Sequence, residues 1–194
     1  MKTLLFTLTS LWLTLSAHAQ GTVNFANNAS TAISNIVTGA RVPAGNSFLA
    51  QLYYGPAGMS DDRSFNSVTN APVGFTLAGQ ILAGTRYTTL PGGTTGSFQI
   101  RVWESALGGD WDTAVANWLT GGPYATRVFG KSGIIQVVVA DPFATPPQTP
   151  TSLVASGFKG FYLIPPDPII PEPSTLALGA LGMAALLWRR RRTS

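Results

Sequence analysis

The sequence predicts an all-β fold: a single antiparallel β-sandwich-like (jelly-roll-like) domain over residues 20–164, with one short helix. Three observations carry this. Short runs of β-branched and aromatic residues recur along the chain, each bounded by Gly, Pro, Asn, Ser or Thr, the residues of turns. Ser97 to Glu104 alternates cleanly, the period of a strand with one face buried. Outside the termini, only Asp112 to Leu119 keeps a helical period. With its two terminal segments set aside, the 194-residue chain leaves about 150 residues. By the length prior that is one domain, burying about 70% of its unfolded surface. The chain has no Cys, so core packing, or a bound ion, must hold it without disulfides.

Taken in order, Thr22 to Phe25 reads as a strand with Val23 and Phe25 on one face. Asn27 to Thr38 is small and polar, a loop or weak strand. Phe48 to Tyr54 is a strong strand closed by Gly55-Pro56-Ala57-Gly58, and Asp61 to Ser64 follows in a loop. Val73 to Leu77, Gln80 to Leu82 and Arg86 to Leu90 are short strands, and Pro91 to Gly96 is a turn-rich connection. In Ser97–Glu104, Phe98, Ile100 and Val102 face one way, and Ser97, Gln99, Arg101 and Trp103 the other. This predicts a half-buried antiparallel strand.

Val115, Trp118 and Leu119 form the apolar face of the helix. Asp110 or Asp112 caps its start, and Gly121-Gly122-Pro123 ends it. Arg127 to Phe129 is short. Gly133 to Ala140 is apolar save Gln136, which suits a central strand covered on both faces. Asp141 to Pro150 holds four prolines and is a loop, and Leu153 to Ile164 holds the last strand. Residues 165–170 form a stiff Pro-rich spacer.

The flanks are of another kind. Lys2, an apolar run from Leu4 to Leu15, and Ala17-His18-Ala19 read as a secretory signal peptide over residues 1–19. Cleavage after Ala19 would leave Gln20 first. Signal peptidase and the Sec translocon are the partners this implies. At the other end, Ser174 to Trp188 is 15 residues without charge, followed by Arg189-Arg190-Arg191-Arg192. A helix of that length rises about 22 Å, short of the ~30 Å hydrocarbon core. Trp188 at headgroup level and snorkelling arginines extend its reach. A transmembrane helix over 174–188 is therefore expected, with the arginines as its stop-transfer signal.

Pro171-Glu172-Pro173-Ser174, a short apolar helix and a terminal arginine cluster together resemble the PEP-CTERM sorting signal of Gram-negative bacteria, over residues 171–194. The resemblance implies exosortase, a membrane-embedded cysteine transpeptidase, as partner. It also implies transient anchoring in the inner membrane, a cut near the motif, and release to the cell surface or extracellular matrix. Pro171, Glu172 and Pro173 would then be the recognition element of a substrate. Ile170 stands where the family often has Val. The succession of alternating strand, Gly-Gly turn, short helix, apolar strand, Pro-rich loop and last strand is similar to uncharacterised PEP-CTERM proteins.

Charge and residue content narrow the chemistry. The net charge of +4 comes from the flanks: residues 20–173 hold 7 basic and 8 acidic residues, a net of −1. The basic pI is therefore no sign of a nucleic-acid surface. The only His, His18, lies in the signal peptide, so the domain has neither His nor Cys. That excludes Ser-His-Asp and Cys-His catalysis and the usual zinc sites, and neither a dinucleotide nor a P-loop fingerprint occurs. No cofactor, metal or catalytic residue is assigned.

Carboxylates at Glu104, Asp110 and Asp112 leave a glycan hydrolase as a third reading, against a solvated strand end and helix caps. Asp110 with Asp112, or Asp61 with Asp62, are candidate oxygen ligands for Ca²⁺, without an EF-hand pattern. Trp103, and with it Trp111, is the candidate for stacking on exopolysaccharide, against ordinary packing. The leading expectation is a non-enzymatic surface or matrix protein. A carbohydrate-binding module is the alternative.

Overall fold

The computed structural model describes residues 20–68 and 70–165. The signal peptide expected at 1–19 with Ala17 and Ala19, the membrane helix expected at 174–188, the sorting motif and the arginine cluster lie outside the described residues. Among the described residues no helix is long and apolar enough to cross a membrane.

The described chain is mostly β with one α-helix. Its strands are β1 (Thr22–Ala26), β2 (Ser34–Asn35), β3 (Gly45–Pro56), β4 (Asn66–Ser67), β5 (Val73–Phe75), β6 (Leu82–Tyr87), β7 (Thr95–Glu104), β8 (Phe129–Lys131), β9 (Ile135–Val138), β10 (Thr151–Ser152) and β11 (Tyr162–Leu163). Helix α1 (Trp111–Thr120) lies between β7 and β8. A six-stranded sheet runs β4-β3-β7-β8, with β5 added on β3 and β9 on β7. A three-stranded sheet runs β10-β1-β6, and β2 pairs with β11.

The long β3–β7 ladder organises the rest. Opposed residues of an antiparallel pair share a face. Ala50 therefore sits with Val102, Leu52 with Ile100, and Tyr54 with Phe98. This face packs against Val23 and Phe25 of β1, and Val139, Leu153, Phe158 and Leu163 close the same core. The opposite face carries Leu49 with Trp103, Gln51 with Arg101, and Tyr53 with Gln99. Alternation assigns that face to solvent, but α1 and the Asp62–Ser64 turn fold over it, and Trp103, Leu107, Trp111 and Ala114 make a second core there. β7 is thus buried on both faces, not half-buried. Its polar row is kept by hydrogen bonds: Gln99 Nε2 donates to Ser132 O (3.2 Å) and Arg101 Nε to Gln99 Oε1 (3.0 Å).

Three further expectations are corrected. The pairings β1–β10 and β2–β11 are parallel, so the domain is not purely antiparallel. The apolar run 133–140 is not a central strand. β9 lies at the sheet edge with Val138 exposed, and Ala140 leaves to bridge Thr22 of β1. The run is apolar because it passes from one sheet to the other. Residues 153–161 turn instead of extending, which leaves only Tyr162–Leu163 as a strand.

Candidate functional site

Helix α1 begins at Trp111, one residue before the predicted stretch, and of the two caps the sequence offers it uses the first. Asp110 is the N-cap, its carboxylate accepting from the Thr113 backbone N–H (2.9 Å) and hydroxyl (2.8 Å). Those bonds hold its pKa below the usual carboxylate range. Gly121, at φ 67°, ends the helix in a conformation L side chains avoid. The buried positions are Trp111 and Ala114, with Val115 and Trp118 partly buried behind them. Leu119, expected on the apolar face, is exposed.

Trp103 is fully buried under this helix. Its indole N–H donates to Gly108 O (2.8 Å), and its ring meets Trp111 edge-on at 5.9 Å. Alternation placed it on the correct face, but that face is roofed, so Trp103 cannot stack on a sugar. Trp111 also packs inward, against Phe129 at 5.3 Å, but borders a cleft.

That cleft, of about 650 Å³, opens between α1, β8, the Asp62–Arg63 turn and the Tyr162–Ile164 segment. Arg101 forms its floor. The residue is 6% exposed, and its guanidinium lies 3.9 Å over the Tyr53 ring and 5.3 Å from that of Trp111. One Nη2 hydrogen goes to the main-chain oxygen of Asp62. Burial lowers the pKa of Arg101 and pushes the Tyr53 phenol up to about 12. Lys131 donates to the carboxylate of Asp62 across the mouth, and this bond lowers the pKa of Asp62. Asp112 lines the helix side. The cleft therefore offers a fixed fork of donors, an ammonium group, two carboxylate acceptors and apolar walls.

The other carboxylates are committed elsewhere. Glu104 accepts from Arg127 (2.8 Å) and from the Val128 N–H (2.9 Å). Asp61 caps the Asp62–Ser64 turn through the Arg63 N–H (3.1 Å). Among the described residues no three His, Cys, Asp or Glu side chains stand together as a metal site. Glu104 and Asp110 have both oxygens engaged, leaving Asp112 as the one member of the carboxylate trio that lines the cleft.

Arg101, Lys131 and Tyr162 were missed as site residues. No local signal picks out Arg101, because alternation puts it on the face assigned to solvent, and only the fold of α1 over that face buries it. Lys131 and Tyr162 join it only through the sheet.

Comparison with known proteins bears on a different part of the chain. The PEP-CTERM protein-sorting motif matches residues 170–192. The chain carries a PEP-CTERM sorting signal. Pro171, Glu172, Pro173, Ser174 and Arg189 to Arg192 all fall inside the match. The motif implies exosortase as processing partner, and export with membrane-associated processing. No curated protein and no solved structure matches the chain.

Proposed function

We propose that this PEP-CTERM protein is a non-enzymatic component of the cell surface or extracellular matrix. Exosortase processes its tail, and the sandwich-like, jelly-roll-like domain is displayed as a binding or structural module. One observation carries the reading: the sorting motif at 170–192 follows within a few residues of the last strand, β11. Only the Pro-rich spacer separates folded domain from signal, so the unit that sorting delivers is the domain itself. Export through the Sec translocon, signal peptidase cleavage and transient inner-membrane anchoring belong to the same reading.

The test is a Glu172→Ala, Pro173→Ala variant expressed in the native host. Expected is loss of the protein from surface and medium, with an unprocessed species accumulating in the inner membrane. Unchanged release would contradict exosortase sorting.

A second reading, exopolysaccharide binding, is favoured by the cleft and not by the surface of Trp103. A carboxylate hydrolase finds no support in the committed oxygens of Glu104 and Asp110.

A further inference from the structure

We propose that the cleft beneath α1 binds an acidic oligosaccharide, with the guanidinium of Arg101 receiving a uronate carboxylate. The proposal deepens the reading of the domain as an exported binding module, and it can fail without disturbing the sorting account.

A buried arginine is held in place at some cost. Arg101 is nearly inaccessible, yet among the described residues no carboxylate lies within ion-pair distance of it. Its protein partners are neutral: the Gln99 side-chain oxygen, the Asp62 main-chain oxygen and the Tyr53 hydroxyl. These bonds and the two aromatic rings fix the guanidinium plane, and the group borders the cleft with donors still to place. A planar fork held rigid and facing a cavity is pre-organised for a bidentate carboxylate.

The surroundings narrow the class. Asp62 and Asp112 are hydrogen-bond acceptors, which a phosphate dianion cannot satisfy. A fatty acid would offer no donor to Asp112, whereas Asp62 already has Lys131. Sugar hydroxyls supply such donors. Along the mouth, Leu119, Tyr162 and Ile164 are 64%, 60% and 47% exposed, and exposed apolar faces of this kind suit the flat faces of sugar rings. One carboxylate, several hydroxyls and an apolar ring face describe a uronate-containing chain. The volume lies within the range of small-molecule sites, roughly 300–1,000 Å³.

The experiment is calorimetric titration of the purified full chain in detergent micelles with short oligogalacturonate, oligomannuronate and hyaluronan oligosaccharides. Each uronate is run against its methyl ester, and an alkyl carboxylate and a peptide with a free C-terminus serve as controls. At least one uronate is expected to bind, with its methyl ester about tenfold or more weaker. Tyr162→Ala should weaken binding severalfold with the unfolding midpoint unchanged, which separates binding from folding. Arg101→Lys should keep the charge, lose the fork and weaken binding further than Tyr162→Ala does. No binding by any of the three uronates would overturn the proposal. So would equal binding of acid and ester, indifference to Tyr162→Ala, or a preference for the peptide or alkyl carboxylate.

Discussion

Asn27 shows how much one polar side chain can hold. It is buried, and its amide donates to Thr31 O (2.7 Å) and Gly79 O (3.0 Å) while its oxygen accepts from the Ile81 N–H (2.6 Å). Asn27→Ala leaves Thr31 O and the Ile81 N–H without a partner, while Gly79 O keeps the Ile33 N–H (3.0 Å). We expect a loss of about 2–4 kcal/mol in urea unfolding, taking about 1 kcal/mol per bond plus the desolvation left behind.

Asp62 sets an acid response. Its folded-state pKa is depressed by the hydrogen bond from Lys131. Its stabilisation is therefore complete above the unfolded aspartate value of about 4 and is lost as pH falls through the lower folded value. The difference in urea midpoint between the native protein and Lys131→Met should be present at neutral pH and vanish in that acid window. Such residue-level roles were not legible in the sequence, because the partners of Asn27 and Asp62 are brought together by distant turns and strands.

At the scale of elements, α1 is the piece on which the cleft depends. Asp110→Ala removes the cap and should cost about 1 kcal/mol. Because α1 roofs the second core, amide exchange should quicken from Trp111 to Thr120 and at Gln99–Trp103 before it does in β1. Uniform quickening across the molecule would show that the helix has no separate opening.

The helix, its N-cap and its glycine stop were readable from local rules, as was the split of β7 into two faces. What local rules could not give was the cover. Whether Gln99, Arg101 and Trp103 meet water depends on a helix that returns over them from later in the chain. The same limit applies to 133–140, where an apolar run could mean a doubly covered strand or, as found, a crossing between sheets.

At the scale of the whole molecule, the end of the domain locks its beginning. β10 pairs with β1 and β11 with β2, both parallel, and Leu153, Phe158 and Leu163 complete the core. With no disulfide to hold a partial structure, deleting residues 151–165 should abolish the cooperative thermal transition followed by near-ultraviolet circular dichroism. A retained transition would show that the closing strands are dispensable. The sorting signal thus lies behind a segment that belongs to the fold. The address at the C-terminus was legible from three unlike residue patterns in fixed order, whereas the cleft was not, since its walls come from β7, α1, β8 and the residues around β11.

The central claim is that the tail is a signal removed when the domain is delivered. The intact mass of the protein recovered from the surface and medium of its native host tests it most directly. The account predicts a species beginning at Gln20 and ending near Pro171. A surface species still carrying Arg189 to Arg192 would contradict it, and would make the tail a lasting anchor.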